Sequence, residues 1–191
     1  VFRKRYWLYY ALTFLSGARR QIFMVFAGFL LVQKFGFPLD KMVLLLLINS
    51  GITAWVAPKM GILISKIGER KALTLEYIAL IIIFLGYAVV DNVNIAFLLY
   101  ILDNIFYSIS FAIKTYFQKI ADPADIASTS GISFTINHIA AVLLPALLGL
   151  IWMENYGAVF LIGACIAGLS LILVRAIPDN PEIGKETYWQ V

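Results

Sequence analysis

The chain has 191 residues, 62% of them hydrophobic and only 14% charged, with a mean hydropathy of +0.89. A water-soluble domain carries roughly 45–50% apolar and about 25% charged residues, so the composition excludes a soluble globule and points to an integral membrane protein. The formal charge of +4 is spread over short loops, with no basic run longer than Arg3-Lys4-Arg5, which excludes a nucleic-acid surface.

The single Cys165 excludes an intrachain disulfide, a redox pair and a cysteine-rich metal site, and its apolar surroundings predict a buried packing role. The first residue is Val1 rather than Met, which predicts a piece of a longer chain. A cleaved signal is not expected, because the first apolar run is about 25 residues, well beyond a signal core.

Spans of about 20 mostly apolar residues can cross a bilayer, and six segments qualify: 6–33, 41–64, 72–90, 95–117, 129–152 and 158–175. The expected fold is an all-α membrane protein, a six-transmembrane-helix bundle over residues 1–175. Turn residues separate the spans at Phe35-Gly-Phe-Pro38, Asp91-Asn-Val-Asn94, Ala121-Asp-Pro-Ala-Asp125 and Glu154-Asn-Tyr-Gly157. Residues 176–191, with Pro178, Pro181 and Gly184 among charges, read as a solvated, poorly ordered cytoplasmic tail.

Lysines and arginines gather at one set of helix ends: Arg3, Lys4, Arg5, Lys59, Lys66, Arg70, Lys71, Lys114, Lys119, Arg175 and Lys185, against Lys34 and Lys41 on the other. Positive charge is retained on the cytoplasmic side, so both ends are expected inside, in a bacterial inner (plasma) membrane. Trp7 and Trp152 fall near helix ends, where interfacial anchors sit.

A charge deep in a bilayer costs about 2.5–3.5 kcal/mol on insertion scales, so each needs a partner, a wet cavity or a function. Helix one carries Arg19 and Arg20 at its centre, about 20 Å from either end. Arg20 continues a small and polar stripe of Thr13, Gly17, Met24 and Ala27, and is expected to face water and substrate. Arg19 continues a bulky stripe of Leu12, Leu15, Phe23 and Phe26, and is expected to tie helix one to a neighbour. The competing reading of both is buried ion bridges that lock helices together. Another ends helix one at Ser16 and leaves the arginines in a loop.

In helix four, Tyr100, Asp103, Tyr107, Ser110 and Lys114 recur at three- and four-residue spacing, one face of a helix. Asp103 reads as the only acid well inside the apolar core, hence as the counter-charge of Arg19 or Arg20, a fixed salt bridge or a proton carrier. Asn137 and His138 in helix five and Asn49 and Ser50 in helix two lie near mid-depth, as hydrogen-bonded packing residues or cavity groups. Glu76 is read as lying near the inner end of helix three. The deep polar groups thus fall in helices one, two, four and five.

Helices two and five share a weak repeat, Asn49, Pro58 and Gly61 against Asn137, Pro145 and Gly149. The stretch Gly61-Ile-Leu-Ile-Ser-Lys-Ile-Gly-Glu-Arg-Lys-Ala-Leu73 joins helices two and three. It resembles the signature loop of major facilitator superfamily transporters, roughly Gly-x-x-x-Asp-[Arg/Lys]-x-Gly-[Arg/Lys]-[Arg/Lys]. Gly61, Lys66, Gly68, Arg70 and Lys71 match; Ser65 stands in the acidic position and Glu69 where a basic residue is frequent. The two glycines are expected to turn the chain and let helices approach.

The resemblance implies half of a major facilitator fold, built as a 3+3 repeat, with the first, second, fourth and fifth helices lining the path. It implies a secondary active transporter, symporter or antiporter, working by alternating access with another six-helix half as partner. This chain would be the second half, given its start without Met, the basic residues before helix one and a tail that reads as terminal, with the first half as the alternative. The resemblance also implies a gating loop of Gly61, Ser65, Lys66, Gly68, Arg70 and Lys71, with Glu76 latching to Arg70 or Lys114. The central arginines predict a small, anionic substrate, a carboxylate or phosphorylated metabolite, with the proton as coupling ion. Membrane lipid is the surrounding partner, and no cofactor, metal or enzymatic activity is expected. Other readings are a transporter-fold scaffold or sensor, a proton-coupled drug exporter, or an enzyme using Asp103 and His138, which lacks a second catalytic carboxylate and a nucleophile motif.

Overall fold

The computed structural model describes residues 2–188, which are almost entirely helical. Six helices are long and apolar enough to cross a bilayer: α1 (Lys4–Lys34), α2 (Leu39–Ile67), α3 (Glu69–Val89), α4 (Val93–Ile120), α5 (Pro123–Glu154) and α6 (Tyr156–Ala176). This is the architecture of a multi-pass membrane protein.

Local chemistry starts and stops these helices. Pro38, Asn92, Asp122 and Asn155 hold extended backbone just ahead of helical segments. Asn92 accepts from the Asn94 N–H at 2.8 Å, and Asn155 from the Gly157 N–H at 2.9 Å, satisfying first-turn donors. Between α2 and α3 a single residue, Gly68, makes the turn with φ +84° and ψ 158°. That conformation is open essentially to glycine alone.

The expected link over 61–73 is therefore helix on both sides of one glycine, α2 running three residues past its predicted end. Gly61 brings no helix close, since nothing lies within 4 Å of where its Cβ would be. The helices approach at Gly17 instead, where a Cβ would come 2.6 Å from Asn137 Oδ1.

Helix α1 does not stop at Ser16. It continues through both arginines, then loosens to π winding over Ile22–Ala27 and Leu30–Lys34. It is the central element: 67% of its apolar window is buried, against 17% for α2 and 11% for α5. Behind it α3 and α6 pack along each other, and α5 crosses its other side.

Two apolar cores hold the bundle. At the basic end Tyr6, Leu12, Leu73, Tyr77, Tyr116 and Phe117 pack together, with Tyr9 stacked on Phe117 at 4.2 Å. At the opposite end Ile22, Phe26, Leu80, Phe84, Tyr87 and Phe160 do the same, with Tyr87 on Phe160 at 4.9 Å. Trp152 joins that end, 5.4 Å from Phe26, its Nε1–H donating to Gln33.

Ion pairs fasten the ends. Arg3 and Arg5 both hold Asp125, at 3.0 and 2.9 Å, and Lys119 holds Glu69 at 2.7 Å. Opposite, the Lys34 ammonium donates to the Val90 carbonyl, Asp91 and the Tyr156 hydroxyl, joining α1, the α3–α4 turn and α6.

Two further expectations are corrected, one for the segment after the last span and one for Cys165 within it. Residues 176–188 are anchored where a free tail is expected, although residues 182–185 stay exposed and residues 189–191 of that tail lie outside the described residues: Ala176, Ile177 and Pro178 are buried, Tyr188 N–H donates to the Ala176 carbonyl at 2.8 Å, and Tyr116 donates to the Glu186 carbonyl. Arg70 reaches Asp179 in this segment at 3.1 Å. Ile177, Pro178 and Pro181 give the tail a surface to bury that its charges concealed. Cys165 is exposed on α6, on the side turned away from the bundle, because Ala164 and Ala167 take the inward positions beside it.

Candidate functional site: a cationic cleft on α1, α2, α4 and α5

A cleft of about 1100 Å³ opens where α1, α2, α4 and α5 diverge, and no residue of α3 or α6 reaches its wall. Small-molecule sites run to roughly 300–1,000 Å³, so the space is ample for a metabolite. The surface is built in three parts.

The floor is charged. The half-buried Arg20 guanidinium lies 4.8 Å over the Tyr107 ring. Tyr107 is held in turn by Ser16, whose hydroxyl donates to it at 3.5 Å. A guanidinium stacked by one face keeps its in-plane N–H fork free for an anion. Lys114 lies on the same side of α4 as Tyr107, seven residues or about 10 Å along the helix, and is exposed in the cleft. The wall contains these two cations and no carboxylate among the described residues.

The second part is an amide and hydroxyl cluster. Asn104 donates to Thr53 Oγ1 and, at 3.4 Å, to the Asn49 carbonyl, while Thr53 donates to that carbonyl at 2.8 Å. On the far wall, Asn137 and His138 project from α5. The His138 ring lies 4.0 Å from Phe134, with Nδ1 3.0 Å from the Phe134 carbonyl. The third part is apolar, with Phe23, Met24, Leu46, Ala54 and Phe111 completing the surface.

The arrangement brings together Arg20, Asn49, Tyr100, Tyr107, Asn137 and His138 from the sequence reading, with Gly61 at the rim. It separates two others. Arg19, expected to tie helix one to a neighbour, and Asp103, expected on the polar face of helix four, are each 1% exposed and do not line it. They sit behind the wall with Glu76, which is 0% exposed.

The Arg19 guanidinium stacks 4.3 Å from the Tyr77 ring and approaches Glu76 at 3.6 Å. Glu76 therefore pairs with Arg19, not with Arg70 or Lys114, and Asp103 is not the only deep acid. Nor does Asp103 pair directly with either arginine within 4 Å. Of the loop residues, Ser65, Lys66 and Lys71 are exposed, and the Ser65 hydroxyl donates to the Ile62 carbonyl of its own helix.

Thr53, Asn104, Gln21 and Ser108 also border the cleft and were not singled out. Their signal was present as polar pairs four apart, Asn49 with Thr53 and Asn104 with Ser108, which share a helix face. Among the described residues no three His, Cys, Asp or Glu side chains group as a metal site requires.

No family model matches the chain, and no curated protein matches it. The functional reading therefore rests on the chemistry of the cleft.

Proposed function

We propose that this chain is one half of a secondary active transporter of the major facilitator type, carrying a small anionic solute by alternating access. The observation that supports it is the cleft: about 1100 Å³ of space, two cations, a polar amide cluster and, among the described residues, no acid, between helices long enough to span a bilayer. Charge at that depth is retained where it meets a solute or an ion. Arg20 is the anion anchor, Tyr107 orients it, and Asn49, Asn104, Asn137 and His138 supply hydrogen bonds that discriminate among anions.

Two features fit a 3+3 construction: α2 and α5 each carry an internal proline, Pro58 and Pro145, and each is the least buried helix of its half. Their exposed apolar faces suit a second six-helix half, so that the cleft becomes one wall of a central path. The basic helix ends favour a cytoplasmic location for both termini, in a bacterial inner membrane, and the proton is the proposed coupling ion.

The test is flux in proteoliposomes containing the complete transporter, offered carboxylates, phosphorylated metabolites, neutral sugars and organic cations. Uptake confined to the anions is expected. Uptake of the cations alone, or no uptake of any solute, would overturn the reading.

A further inference from the structure

The cluster behind the cleft wall has an uneven charge count. Arg19 from α1, Glu76 from α3 and Asp103 from α4 are all at most 1% exposed, and together they carry one cation and two carboxyl groups. The other titratable groups facing them are Tyr77 and Tyr87 on α3, Tyr100 and Tyr107 on α4, and Arg20 on α1. Helix α6, packed along α3, presents no charged side chain to the cluster.

Hydrogen bonding is also incomplete. Among the described residues, the three guanidinium nitrogens of Arg19, both oxygens of Glu76, Asp103 Oδ2 and the Tyr77 and Tyr87 hydroxyls make no hydrogen bond of normal geometry. Buried polar atoms left open in this number mark a place where waters or protons are accommodated.

Two ionised carboxylates against one arginine would leave a net negative charge in a low-dielectric interior, at a cost of several kcal/mol. Arg20 offsets it only in part, through a longer-range field on Asp103. Its guanidinium sits over Tyr107 at the wetted cleft wall, beyond ion-pair distance of Asp103.

We infer that Glu76, Arg19 and Asp103 form a sealed site holding one exchangeable proton, shared between the two carboxyl groups across Arg19. The only bond made or broken is O–H: a carboxylate takes a proton from water and later returns it. Glu76 belongs to a helix that takes no part in the cleft, so the proton site and the anion site are separate but adjacent. Arg19 and Arg20 are consecutive residues, and this part of the inference rests on the proposed anion site. An anion bound at Arg20 cancels the positive field that Arg20 exerts on Asp103, which favours the proton. By linkage the proton then favours the anion, and the two bind together.

The test is infrared difference spectroscopy of the complete transporter in proteoliposomes, titrated from mildly acidic to alkaline pH. It reads the C=O stretch of a protonated carboxyl group shielded from rapid deuterium exchange. The wild type should show one such band, and the band should vanish in both Glu76→Gln and Asp103→Asn, because the remaining carboxylate is then matched by Arg19. Both substitutions are isosteric, and circular dichroism checks that each variant is folded. Absence of the band in the wild type, or its survival in either variant, would overturn the shared proton. The band is read without flux, so its loss would leave the anion transport reading standing. A band in a protein that moves no anion would do the reverse.

Discussion

Arg20→Ala should abolish anion uptake while leaving the protein folded and inserted. Among the described residues the side chain makes no ion pair, and its aromatic partner Tyr107 is also held by Ser16. The bundle therefore loses little when the guanidinium goes. A bound anion loses its principal counter-charge in a confined site, an effect of about 2–5 kcal/mol for a truncated charge pair. That corresponds to at least about thirtyfold in apparent affinity. Arg20→Lys should fall between the two, since the charge remains but the planar fork does not. Uptake kinetics beside a thermal melt in detergent separate the effects. Wild-type uptake by Arg20→Ala would remove the anion site from this cleft.

One residue earlier the expected phenotype reverses. Arg19→Met should be strongly destabilising, by about 3–5 kcal/mol, because it strands Glu76 and Asp103 in a dry interior without their cation. A matched apolar pair removes much of that cost, since neither partner is then left buried and unpaired. The double variant Arg19→Met/Glu76→Met should therefore recover part of the lost melting temperature, Asp103 alone being left without its cation, and adding Asp103→Asn should recover most of it. If Arg19→Met melts as the wild type does, the buried pair at 3.6 Å contributes nothing and the cluster is not a coupled unit. Two neighbouring arginines thus divide the work: one holds helices together and the other faces the solute.

Much of this division was legible in the sequence. Span length and hydropathy located the six helices, and the deep polar residues fell on the four helices that border the cleft. The flanking stripes separated Arg20 from Arg19, since 100° of helix rotation puts small residues on one and bulky ones on the other.

What stayed hidden was finer than helical periodicity. Asp103 and Asn104 both fit a three- and four-residue spacing, and one step of rotation sends Asn104 to the cleft and Asp103 into the bundle. Glu76 sits only two turns into α3, which made it look peripheral. A one-residue turn at Gly68 starts that helix early, which brings Glu76 to within 3.6 Å of Arg19 on α1. The tail was misjudged because its composition describes solvent preference, whereas its contacts with Tyr116 and Ala176 are set by the ends of α4 and α6.

The most direct measurement is thiol accessibility across the bundle. With Cys165 replaced by serine, single cysteines at Asn104, His138 and Ser50 would be exposed to a charged, membrane-impermeant maleimide, beside controls at Ile82 and Leu169. Those controls are exposed on α3 and α6 but face away from the cleft. A water-filled path predicts labelling at the three cleft positions, at rates that change when the anion is added, and none at the two controls. Cleft cysteines as inert as the controls from both sides of the membrane would mean that Arg20 and Lys114 border no aqueous route, contradicting transport through this face.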